Sequence, residues 1–287
     1  MRILVTALLV LASFGCASLA AAAGDPKRGE YVARLGGCHS CHTDPKKKDA
    51  PLAGGVELAS PYGTFYAPNI TPDPATGIGR WSERDFIRAM TEGVAPAGSH
   101  YYPAFPFTSY TRMRRQDLLD LKAYLDAARP VRNAVRPHDL RFPYNYRIAL
   151  AAWKWLFFRP GEFKADPAKS ASWNRGAYLV TGPGHCGECH TKRNFLGATD
   201  DSHALAGTRD GLDGKSVPNI TPHPKDGIGL WSTADLVNFL KTGDVPFGET
   251  AGAPMDGVIA ENTSRWTDDD LKATANYLLS LPQRKTP

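Results

Sequence analysis

The chain has 287 residues, with 34 basic and 29 acidic side chains and a formal charge of +5 at neutral pH. Lysines and arginines are interleaved with acids along the chain, which argues against nucleic acid as a partner. The length exceeds what one small core needs and suits two domains of about 100 to 150 residues each.

The first 23 residues run from Arg2 through an apolar stretch beginning Ile3-Leu4-Val5 to Ser18-Leu19-Ala20-Ala21-Ala22-Ala23, just before Gly24-Asp25-Pro26. A basic start, an apolar middle and small residues at the end predict a secretory signal peptide over residues 1–23. The apolar run is shorter than the roughly 20 residues a spanning helix requires, which argues against a retained anchor. A lipid-bearing Cys16 is the other alternative, and Ser13-Phe14-Gly15 fits that signal poorly.

Next come Arg28-Gly29-Glu30-Tyr31, in a short predicted helix, and the motif Cys38-His39-Ser40-Cys41-His42. A long Pro/Gly-rich loop follows, with Pro68-Asn69-Ile70-Thr71-Pro72 and Gly77-Ile78-Gly79-Arg80-Trp81-Ser82. Ser82 is placed to cap a helix through Asp85-Phe86-Ile87. A closing helix over Asp117–Leu125 sets Leu118, Leu121 and Leu125 on one face. Between Pro143 and Pro160 lies Arg147–Phe158, a predicted helix rich in aromatics. A short helix apolar on most sides is usually buried, so a strut packing on both halves is the favoured reading. A surface that docks a partner protein or rests on a membrane is the other.

The whole succession then returns roughly 150 residues later. Arg175-Gly176-Ala177-Tyr178 precedes Cys186-Gly187-Glu188-Cys189-His190, then Pro218-Asn219-Ile220-Thr221-Pro222, Gly227-Ile228-Gly229-Leu230-Trp231-Ser232 and a last helix over Asp270–Leu279. Strand-like alternation is nearly absent. The expected fold is all-α, two helical units with long loops around a flat cofactor that fills much of each core. The predicted division is 24–128, an interdomain linker over 129–172 carrying the aromatic helix, and 173–287.

The chemistry lies in the two C-x-x-C-H motifs. Two thiols at that spacing can bond one edge of a porphyrin while the next residue offers its imidazole to the iron, so two covalently bound haem c groups are expected. Cys38, Cys41, Cys186 and Cys189 would attach them, and His42 and His190 would ligate the irons. Zinc would more usually draw its ligand pairs from closer together in the chain, and a disulfide across two residues would be strained. Loss of Cys16 with the leader leaves four cysteines, all used.

These residues resemble class I cytochrome c. The loop motifs and His100-Tyr101-Tyr102-Pro103-Ala104-Phe105-Pro106 are similar to the multihaem cytochrome c subunits of membrane-bound alcohol, gluconate and fructose dehydrogenases, which usually carry three haems where this chain has two motifs. The resemblance implies a periplasmic dihaem electron carrier, associated at most peripherally with the outer face of the inner membrane. Its partners would be a dehydrogenase catalytic subunit and a downstream acceptor. It also implies Met255 as the distal ligand of haem 2. In the first half Phe105 stands where related subunits can have methionine, which leaves Met113, His100 or an open, five-coordinate iron. The open iron would suit a second reading, a dihaem redox enzyme acting on a small molecule in the manner of thiosulfate dehydrogenases or peroxidases. Trp81, Trp231, Asn69 and Asn219 are read either as partners of haem propionates or as loop architecture. His39, His185, His203 and His223 are expected to be exposed polar residues.

Overall fold

The computed structural model describes residues 23–47, 49–211, 214–246 and 248–287, so all of the expected leader but Ala23 lies outside the described residues. Asp25 accepts hydrogen bonds from the Lys27 and Arg28 amides and starts α1 (Pro26–Leu35), where Pro26 occupies a first-turn position that needs no N–H. Gly37, at φ 59°, turns the chain into α2 (Cys38–His42). A hairpin of β1 (Glu57–Ser60) and β2 (Gly63–Tyr66) follows. Ser82 and Asp85 form a capping box at the start of α3 (Glu83–Glu92), and α4 (Phe107–Tyr110) leads into α5 (Arg115–Ala127). The stretch between the halves contributes β3 (Asp139–Leu140) and α6 (Ala149–Phe157). The second half comprises α7 (Ala171–Thr181), α8 (Gly187–His190), α9 (Thr233–Thr242), β4 (Asp244–Val245), β5 (Glu249–Thr250), α10 (Met255–Glu261) and α11 (Asp268–Leu279). Ser232 and Asp235 repeat the capping box at α9.

The all-α expectation does not hold. β1, β2 and β3 form a three-stranded antiparallel sheet in that order, and β4 pairs with β5 in a second, two-stranded one. The first sheet has a physical role: Phe65 of β2 packs with Tyr102 and with Leu150 of α6, while Leu58 and Leu140 lie alongside. Residues 139–150, from the stretch between the halves, are thereby fastened to the first half.

Each half is organised by a helix crossing, α1 on α5 and α7 on α11. A Cβ on Gly29 would stand 1.9 Å from the Asp120 carbonyl oxygen, and one on Gly176 would stand 2.0 Å from that of Ala273. The repeated Arg-Gly-x-Tyr thus has a steric cause, because only hydrogen at the second position lets the helix backbones approach this closely. The arginine beside it is also used in both halves. Arg28 pairs with the buried Asp120, and Arg175 donates to both oxygens of Asp270 at 2.8 and 2.7 Å.

The tyrosine of the same motif joins the halves. Tyr31 of α1 donates to Asp270 of α11 at 2.7 Å, and Tyr178 of α7 donates to Asp117 of α5. Tyr31 matches Tyr178 in the repeat and Asp117 matches Asp270, so the contacts are reciprocal, as a pseudo-twofold arrangement requires. Leu35 of α1 joins Tyr178, Leu179 and Leu271 in one apolar cluster and extends the interface into a shared core. Among the described residues no helix is long and apolar enough to cross a membrane.

Candidate haem sites

The first C-x-x-C-H motif forms α2, and the second runs from Cys186, the N-cap, through α8. His42 Nδ1 lies 2.7 Å from the Pro68 carbonyl oxygen, and His190 Nδ1 lies 2.7 Å from that of Pro218. A proton held on Nδ1 by a carbonyl leaves Nε2 as the lone-pair nitrogen, the tautomer a metal-ligating histidine requires. The repeated Pro-Asn-Ile-Thr-Pro therefore orients the imidazole of each motif through its first residue.

The loop after each motif turns back at Leu52 and Leu205, buried leucines held in the left-handed region at φ 63° and 62°. Their amides donate to the Thr43 and Thr191 hydroxyls at 3.1 and 3.0 Å. Non-glycine residues in that region cost about 1–2 kcal/mol each, and such strain gathers where a functional site fixes the backbone.

The cysteines suit covalent attachment. Cys41 and Cys189 are exposed, and Cys38 and Cys186 adjoin the apolar clusters of their own halves. Burial pushes the Cys38 and Cys186 thiols up to about 12. No group of three or more His, Cys, Asp or Glu converges as a metal site among the described residues. The residues present fit two haems, each with one protein imidazole and an apolar wall.

On the distal side, Met113 is 2% exposed, in the cluster that includes Phe86, Tyr110 and Leu118 and borders Cys38. Met255 begins α10 half-buried, against Tyr178, Leu240 and Trp266, whereas Cys186 packs in the neighbouring cluster of Leu205, Ile228 and Leu236. His100 faces away to the linker: its Nδ1 is 2.9 Å from the Lys154 ammonium. Phe105 is wedged edge-on between Tyr101 and Tyr110. Asn69 and Asn219 turn out to be loop architecture. Each carbonyl oxygen accepts from the amide and hydroxyl of the threonine two residues on, and each amide nitrogen donates to a main-chain carbonyl, of Val131 or Arg284.

The residues that sequence reasoning missed lie between the motifs. Glu188, inside the second motif, accepts from Thr108 at 2.6 Å and from Ser109 at 2.8 Å, both in the first half, and pairs with Arg193 in its own. Burial raises its pKa, but Arg193 and the two hydroxyls outweigh that and hold the carboxyl below its ordinary range. His185, expected to be exposed, packs edge-on against the buried Tyr110, whose hydroxyl donates to Gly36 O at 3.1 Å. His185 Nε2 also lies 3.4 Å from the Gly36 carbonyl oxygen, so the two attachment motifs, which begin at Cys186 and Cys38, are neighbours. The signal in the sequence was a charged residue at a variable motif position, with nothing to name its partner.

Paired attachment motifs, each with a histidine locked through Nδ1, define a c-type cytochrome with two haems. No family model matches the chain. It is 44% identical over 263 residues to the dihaem cytochrome c-type protein of Cereibacter sphaeroides, covering 90% of this chain and 86% of that one. It is 40% identical over 268 residues to the cytochrome c subunit of the quinone alcohol dehydrogenase of Gluconobacter oxydans, and 39% identical over 286 to the gluconate 2-dehydrogenase cytochrome c subunit of Pantoea cypripedii. It spans 54% and 63% of the length of those two subunits. The chain belongs to the dihaem cytochrome c family, carries two covalently bound haem c groups and transfers electrons. The relatives lend no support to a small-molecule enzyme at haem 1.

Proposed function

We propose that this cytochrome takes single electrons from the catalytic subunit of a dehydrogenase and passes them towards the respiratory chain, on the periplasmic side of the inner membrane. The partner follows the relatives, several of which are named as cytochrome subunits of dehydrogenases. Residues 24–128 and 173–287 form the two haem domains and 129–172 the linker. Cys38, Cys41 and His42 hold haem 1, and Cys186, Cys189 and His190 hold haem 2. Met113 and Met255 complete the two irons. Bound haem supplies a one-electron couple; the chain sets its ligation, its burial and the separation of the two centres.

The observation that carries a relay is the adjacency of the two motifs, with His185 and Tyr110 packed between them and Glu188 of the second reaching Thr108 in the first half. Met113 is favoured over His100 because the methionine borders the Cys38 cluster while the imidazole is engaged by Lys154. Met113→Ala and Met255→Ala test the ligation. Each should remove one thioether-to-iron charge-transfer band from the oxidised spectrum and turn one low-spin iron high-spin by electron paramagnetic resonance. An unchanged spectrum in either variant would overturn that ligand.

A further inference from the structure

Helix α6 is amphipathic the wrong way round for a surface facing water. Its one charged side chain, Lys154, is buried, with its ammonium on the Glu92 and Gly93 carbonyl oxygens at 2.7 and 2.6 Å and on His100. Its outer face carries Trp155, 80% exposed, and Leu156, while Ile148 just before it is 85% exposed. This corrects the buried strut: Leu150 packs on the first half and Trp153 donates to Leu196 O in the second, but the remaining face is left open. The apolar surface continues beyond the helix. Phe195 in the adjoining loop is 83% exposed and Phe142 before the helix is 77% exposed, with Tyr146 edge-on against Phe142. A contiguous apolar face of this kind marks an interaction site.

The charge around this face selects the partner. From Arg141, just before Phe142, to Lys164 beyond the helix, five Lys or Arg stand against one Glu, a net charge of +4. Four of the five are exposed, Arg141 and Arg147 before the helix and Arg159 and Lys164 after it. Trp, Tyr and Phe on one face bracketed by exposed basic groups match an anionic bilayer surface, where aromatic rings settle at headgroup level and each nearby cation gains from the surface potential. A helix of nine residues lies on such a surface rather than spanning it.

We propose that the face formed by α6, Phe142 and Phe195 is a membrane-docking surface that binds anionic phospholipid bilayers. The proposal does not rest on the electron-relay reading, since docking needs no electron donor.

The test is co-sedimentation of the dihaem protein with vesicles of phosphatidylglycerol and phosphatidylcholine, compared with phosphatidylcholine alone. The native protein should pellet with the anionic vesicles and be released by salt. Trp155→Ser with Ile148→Ser, and separately Arg141→Gln with Arg159→Gln, should each weaken binding by about tenfold or more while leaving the haem spectrum intact. Four results would overturn the proposal: no binding to anionic vesicles, equal binding to both vesicle types, binding unaffected by either pair of substitutions, or a self-association that Trp155→Ser abolishes in the absence of vesicle binding. The last would make the face a protein contact.

Discussion

Gly176→Ala tests whether the helix crossing of the second half is as close as its geometry demands. The added Cβ would sit 2.0 Å from the Ala273 carbonyl oxygen, 2.6 Å from its carbon and 2.7 Å from the Tyr277 Cβ. Ordinary contact begins near 3.4 Å, so α7 and α11 would have to part by about 1.4 Å, and no neighbouring rotamer can absorb this because the obstacle is backbone. Parting them loosens Leu179 and Leu271, both fully buried at the interface. Overpacking of this kind costs about 1–3 kcal/mol, and the wedge against a carbonyl puts it at the upper end. Alanine returns about 1 kcal/mol through its better helix propensity. The expected net loss is about 2 kcal/mol, or about 4–8 °C in Tm for a chain of this size. Gly257 in α10 is the matched control, with nothing within 4 Å of an added Cβ, so Gly257→Ala should stabilise by about 0.5–1 kcal/mol. Urea melts of the haem-loaded proteins followed by far-ultraviolet circular dichroism read both. If Gly176→Ala melts at or above the native midpoint, the crossing is not sterically limited and the reason given for the repeated Arg-Gly-x-Tyr is wrong.

Two further outcomes concern charge. Hydrogen bonds from Arg28 hold the Asp120 carboxyl at about 2, below its ordinary value, so it stabilises the folded state above the unfolded-state pKa near 4, and that stability is lost as pH falls towards 2. Asp120→Asn should therefore cost about 2 kcal/mol at pH 7 in urea melts and almost nothing near pH 2; a cost independent of pH would show that the carboxylate charge is not what matters. Glu188→Ala strips the partner from Arg193 and from the Thr108 and Ser109 hydroxyls at the junction of the halves. Breaking a buried pair of this kind typically costs about 3–5 kcal/mol and responds little to salt, so a neutral or strongly salt-dependent substitution would argue against a buried clasp.

What the sequence revealed and what it hid divide by the range of the interaction responsible. Ser82 and Ser232 were legible as caps because a cap is satisfied three residues away, and both form capping boxes. Gly29, Gly176, Tyr31 and Tyr178 were visible as a repeat, but their purpose lies in carbonyls and carboxylates at least 61 residues off, which no local pattern names. The all-α expectation failed for a related reason. Glu57–Ser60 has only four residues of alternating exposure, too few to outweigh the helical signals around it, and β3 exists because Asp139 and Leu140 find β2 some seventy residues earlier. Glu188 shows the same limit at the haem sites. C-x-x-C-H specifies how a porphyrin is attached and leaves two positions free, and in the second motif one of them reaches across to Thr108 and Ser109 and joins the halves. The attachment chemistry is encoded within five residues, whereas the spacing of the two attachment sites is encoded in pairs that become neighbours only after folding.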